Sequence, residues 1–211
     1  MENVVVAGVG IHPFGRFDLG YRELGAHAVR ECLRDARTGP DEVDLVLVAN
    51  VGAEMAKGHN VLNQVRHIGA PIIDVEAACA SSGSALMLGA SLIEAGAARS
   101  VLCVGVEKAP RGFIGAAGFE AWQIEAGLGV NPLYFAIQAQ ELLQQTDATA
   151  DDLADVSVKN HRHAVHNPNA MYRREVSREE VLASRPVLAP PRPSPYCAYE
   201  HVPGRKKTGF V

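Results

Sequence analysis

The chain has 211 residues, 47% of them hydrophobic and 21% charged, enough for a substantial core in roughly one to one and a half domains. Its formal net charge of −4 excludes a broad basic field for nucleic acid, leaving only Arg192, Arg205, Lys206 and Lys207 as a locally basic end. No apolar run approaches the roughly 18 residues of a membrane span, and MENVVVAGVG lacks the positive lead and long apolar core of a signal peptide, so a cytoplasmic location is expected.

Strand-like and helix-like segments alternate through the first half. The β-branched run in residues 3–10 predicts a first strand, and Arg22 to Ala36, with apolar residues at Leu24, Ala28, Val29, Cys32 and Leu33, predicts a helix with one buried face. Apolar runs predict strands over 43–51, 71–76 and 99–106, and helical patterning predicts helices over 61–68 and 81–97. Nearly continuous apolar strands belong to a sheet covered on both faces, so these four are expected to be mostly parallel. From Lys108 to Val130 the chain is glycine-rich with little periodicity and reads as a long loop. Helices are predicted again over 132–145 and 151–165, the latter with Thr149 as N-cap, and over 177–184, where SREE offers a capping box. Regular structure is expected to stop at Pro186, where PVLAPPRPSP carries five prolines. The expected organisation is an α/β core over 1–107, a mainly helical loop region over 108–190 and a Pro-rich basic tail over 191–211.

The four cysteines, Cys32, Cys79, Cys103 and Cys197, form no CxxC pair, so neither a zinc knuckle nor a disulfide framework is indicated. Cys103 lies inside the strand VLCVGV and Cys32 on the apolar face of the first helix, and both read as core. Cys197 falls in the tail. Cys79 sits in VEAACASSGSAL, between a buried strand and a small-residue helix start. A thiol at a helix N-terminus meets the positive end of the macrodipole and the backbone N–H groups of the first turn, which favour the nucleophilic thiolate. Small neighbours would let a flat thioester approach. The other reading of Cys79 is a small buried hydrophobe, and position alone leaves both open.

Three further features have bland accounts. The GxG in AGVGIHPFG follows a strand-like run, but Pro13 delays the helix to about residue 22, unlike a dinucleotide fingerprint. His161, His163 and His166 lack a spaced carboxylate or thiol and stand beside Lys159 and Arg162, so they read as a solvated basic helix end and no metal site is expected. Glu107, ending the fourth predicted strand, is either a carboxylate hydrogen-bonded to loop amides or a charge held for a site.

The segments VEAACASSGSAL, LCVGVEKAPRGF, GLGVNPLYFAIQAQ and VSVKNHRHAVHNPNAMYRREVSREEVLASRPVLAP occur in the order found in the thiolase superfamily. Over about residues 3–190 the chain resembles its sterol carrier protein and lipid-transfer branch. The resemblance implies that Cys79 accepts an acyl group, that residues 108–190 cover the acyl and coenzyme A moieties, and that coenzyme A enters as part of the substrate, with no separate cofactor. A whole thiolase has a second, similar half carrying GHP and CxGG motifs, and neither occurs here after Cys79. The expected function is therefore a thiolase-like acyltransferase component in lipid metabolism. It would act on acyl-CoA as a homodimer or with a separate chain supplying the missing C-terminal half. The alternative is a non-catalytic acyl-CoA-binding or assembly subunit.

Overall fold

The computed structural model describes residues 4–52, 55–66, 69–109 and 118–184. The chain forms two compact units, Met1–Lys108 and Ala109–Val211.

In the first unit, β1 (Leu45–Asn50), β2 (Ile72–Glu76) and β3 (Val101–Gly105) form a sheet in the order β2-β1-β3, with both pairings parallel. The central strand explains its own composition. Alternate side chains leave opposite faces, and both faces are covered. Val46 and Val48 point into a core with Val29 and Leu33 of α1 (Tyr21–Ala36), Val61 and Leu62 of α2 (Lys57–Leu62), and Leu102 and Val104 of β3. Leu47 and Ala49 point the other way, against Ala85 and Leu88 of α3 (Ser81–Glu94). A strand clad on both sides favours apolar residues on both faces, which is why LVLVA shows no alternation before Asn50.

The expected strand over 3–10 is absent among the described residues. Residues 4–10 run along α1 instead, where the Val9 N–H donates to the Asp35 carboxylate at 2.9 Å. A Cβ on Gly10 would stand 2.2 Å from the Ala28 carbonyl oxygen, and one on Gly8 2.5 Å from the Ala36 nitrogen. The GxG pair is therefore a place where backbone meets helix backbone, not a phosphate turn. Val5, Val6 and Val9 are 82%, 79% and 69% exposed. A β-branched run prefers extended backbone but becomes a strand only where an edge receives it.

Other boundaries also moved. The second predicted helix, 61–68, begins earlier as α2, and residues 67–68 lie outside the described set. The glycine-rich stretch contains a short helix that periodicity did not reveal, α4 (Ala121–Glu125), opened by a capping box in which the Glu120 N–H donates to the Gln123 side chain at 2.8 Å.

The second unit continues with α5 (Asn131–Gln145), α6 (Ala150–Ala164) and α7 (Arg178–Leu182). Thr149 caps α6 and Ser177 caps α7, each accepting from the backbone N–H three residues on. Asp151 and Asp152 in the first turn of α6 and His161, Arg162 and His163 in its last complement the helix dipole. Ala154, Val176 and Val181 pack as a small core, flanked by Arg178 paired with Asp155 at 2.6 Å and Asp151 at 3.4 Å. No helix among the described residues is long and apolar enough to cross a membrane.

Candidate active site

Cys79 lies where β2 turns into α3. Its exposed, free thiol occupies a 3-10 turn, Ala78–Ala80, that leads directly into Ser81. Ala78 takes the left-handed conformation at φ 48°, unusual for a residue with a Cβ. The turn is held on both sides. The Ala78 N–H donates to the Glu76 carboxylate at 2.7 Å, and the Ala77 N–H donates to Ser81 Oγ at 2.7 Å. Ser81 is 3% exposed, and its hydroxyl proton is directed between the carbonyl oxygens of Asn50 at 2.8 Å and Ala78 at 2.6 Å. No side chain caps α3. Gly105, at the end of β3, permits the close fit of this helix start: a Cβ there would lie 2.4 Å from Ser82 Oγ.

The other thiols have a different setting. Cys32 is half-buried beneath the α1 face, with Sγ 3.4 Å from the Gly8 carbonyl oxygen, and burial followed by the charge of Asp35 pushes its pKa up. Cys103 packs on the α3 side of the sheet with Sγ 3.6 Å from the Ala85 carbonyl oxygen, and burial raises its pKa too. Both surroundings hold the neutral thiol. Cys197 lies outside the described residues.

Glu107, left undecided by the sequence, gathers the loop ends beside this site. Its carboxylate accepts from the N–H groups of Val51 at 3.0 Å, Gly52 at 2.8 Å and Lys108 at 3.0 Å, and from Lys57 Nζ at 2.9 Å on both oxygens. Lys57 is only 2% exposed and lies 5.2 Å from the centroid of the Tyr21 ring. Nothing in AEMAKGHN marks this lysine as buried, since lysine is normally a surface residue. Burial would raise the Glu107 pKa, but the Lys57 hydrogen bonds and the Gly52 and Val51 amides outweigh it and bring the pKa down to about 2 from an ordinary 4.5. A depressed acid stabilises the fold fully above its unfolded pKa and loses that contribution as pH falls through the folded one. Thermal melts taken from pH 5 downward should therefore show wild type losing stability from about 4.5 toward 2, with Glu107→Gln showing a shallower decline across the same window.

The histidine run is not gathered into a site. His161 Nδ1 lies 2.9 Å from the Arg174 carbonyl oxygen, and among the described residues no three His, Cys, Asp or Glu side chains are grouped to hold a metal.

A parallel sheet between helix layers, with an exposed thiol on the turn from a strand end into a helix, defines a class of α/β protein built around a strand–turn–helix cysteine. Within that class the chain belongs to the thiolase family: residues 4–181 match the Thiolase, N-terminal domain. It is 35% identical over 195 residues to the benzoylsuccinyl-CoA thiolase subunit BbsB of Thauera aromatica, covering 90% of this chain and 50% of that one. It is 32% identical over 203 residues to an acetyl-CoA acetyltransferase of Methanothermobacter thermautotrophicus, covering 91% and 53%. Sterol carrier protein 2 of Oryctolagus cuniculus is 29% identical over 206 residues, covering 89% and 38%. The chain thus spans about half the length, or less, of these curated relatives. Among solved structures, one titled Ltp2-ChsH2(DUF35) aldolase matches with a TM-score of 0.72 at 25% identity, covering 87% of this chain and 49% of that one.

Proposed function

We propose that this chain is the nucleophile-bearing part of a thiolase-type acyltransferase, with Cys79 accepting the acyl group of an acyl-CoA. The observation that carries this reading is the exposed thiol on the held turn at the start of α3. The Cys79 thiolate attacks the thioester carbonyl carbon, the carbon–sulfur bond to coenzyme A breaks, and coenzyme A leaves as a thiolate that takes up a proton. The acyl group then rests on Cys79. Coenzyme A enters only within the substrate, and this transfer calls for no separate cofactor. The proton transfers of the later carbon–carbon step, each typically about 10²–10⁴-fold in rate, would come from a thiolase C-terminal half, on a second chain. Support for a second chain is that one relative is named as a subunit and the matched solved structure is titled with two components. The expected setting is cytoplasmic.

Limiting iodoacetamide followed by peptide mapping tests the nucleophile: Cys79 should be modified well before Cys32 and Cys103. Equal or slower modification would favour a non-catalytic acyl-CoA-binding subunit. The aldolase title of the matched structure supports one further reading, carbon–carbon cleavage without an acyl-enzyme. An acyl adduct on Cys79 separates the two.

Pairing of two copies is also proposed. Among the described residues β2 is an edge strand, with Ile73 exposed, and Leu86 and Met87 on α3 are exposed as well. Joining two such faces would give the apolar centre typical of an interface of about 800 Å² per partner. Light scattering during size exclusion should report a dimer or a larger complex. A sharp 22.5 kDa peak would remove the pairing.

A further inference from the structure

The end of β1 stands between Cys79 on one side and an ion pair on the other. In the sheet register Asn50 lies opposite Glu76 of β2, and Ala49 lies opposite Gly105 of β3. The loops leaving the C-terminal ends of these strands therefore emerge side by side. On the β3 side, Glu107 binds the Val51 and Gly52 amides and closes on buried Lys57. On the β2 side, the Asn50 carbonyl accepts from Ser81, whose oxygen accepts the Ala77 N–H. A continuous path of hydrogen bonds and short backbone links thus runs from the Glu107 carboxylate through residues 50–52 and Ser81 to the turn that carries Cys79. Burying an ammonium–carboxylate pair is seldom the most stabilising choice when well-packed apolar residues could fill the space. What this pair supplies is a fixed direction: it determines where the Val51 and Gly52 amides, and with them the Asn50 carbonyl, are held.

We propose that Lys57 and Glu107 are positioning residues for Cys79, fixing through Asn50 and Ser81 the orientation in which the thiol meets an acyl thioester. This rests on the reading of Cys79 as the acyl acceptor. Tyr21 completes the arrangement, its ring against Lys57 and its hydroxyl oxygen 3.0 Å from Asn60 Nδ2.

The test compares two reagents on the purified chain, together with any copy or partner that co-purifies. Rapid acylation by bound acetyl-CoA depends on the orientation of the thiol, whereas iodoacetamide, being small, reports exposure. With Glu107→Gln, acylation of Cys79 at saturating acetyl-CoA should fall roughly 10–100-fold, the loss expected when a reacting group is misplaced by about an ångström. The half-saturating concentration and the iodoacetamide rate should stay near wild type. Lys57→Arg, which keeps the charge, should retain most of the acylation rate, and Ser81→Ala, which cuts the path without touching the ion pair, should lose it as Glu107→Gln does. The neutral double variant Lys57→Met with Glu107→Leu separates positioning from stability, and it also decides the matter if Glu107→Gln fails to fold. Recovery of the melting temperature without recovery of the acylation rate supports positioning. Recovery of both together, or a wild-type acylation rate in Glu107→Gln or Ser81→Ala, overturns it. If wild-type Cys79 resists both reagents, the acyl-acceptor reading fails and takes this proposal with it.

Discussion

Replacing Cys79 with serine is expected to abolish the acyl-enzyme while leaving the fold intact. Serine preserves the size of the side chain, and an exposed position on the turn imposes no packing demand. It removes the polarisable thiolate, and the hydroxyl needs a positioned base to become nucleophilic. The loss of acyl transfer should be on the order of 10⁴–10⁶-fold, the range seen when one member of a nucleophilic constellation is deleted. Mass spectrometry after incubation with acyl-CoA provides the check: wild type should carry the acyl group on the peptide containing Cys79, and Cys79→Ser should carry none. Labelling elsewhere, or undiminished transfer by Cys79→Ser, would remove the cysteine from the mechanism.

The largest effect on stability is expected at Glu107. Glu107→Leu leaves the Lys57 ammonium 2% exposed with its anionic partner gone, and stranding a buried charge typically costs about 3–5 kcal/mol. The reverse substitution, Lys57→Met, should cost less. Its stranded partner, Glu107, is 31% exposed and keeps the Val51, Gly52 and Lys108 amides as donors. The double variant should recover much of the loss, because neither charge then remains. Denaturant unfolding of the two single variants and the double gives the coupling directly. Equal effects from both single substitutions would mean that the lysine finds another partner or water.

How much of this was legible in the sequence depended on the range of the interactions. The capping residues Thr149 and Ser177 act within one helical turn and could be read directly from TADD and SREE. The apolar run of β1 followed from burial on both faces of the sheet, and VEAACASSGSAL located the turn that carries Cys79. What escaped depended on distant neighbours. Residues 4–10 have strand composition, but their place is decided by Asp35 and the backbone of α1, which no local pattern encodes. Lys57 resembles any surface lysine until Glu107, fifty residues later in the chain, is folded against it.

The strand order β2-β1-β3 also sets a timetable for synthesis. Val46 of the central strand meets Ile72 on one side and Leu102 on the other, so a ribosome delivers the Cys79 turn and α3 before the strand that completes the sheet. Until β3 arrives, the face of α3 that packs on Val101 and Cys103 lacks part of its support, and partly built sheets of this kind are prone to aggregate. Glu107 and Lys108 follow directly behind β3. The first binds the loop after β1, and the second reaches back to the carbonyl oxygens of Phe17, at 3.2 Å, and Leu19. The last residues of this unit to be made therefore fasten some of its first, and the turn that carries Cys79 gains its full support only at that closing step.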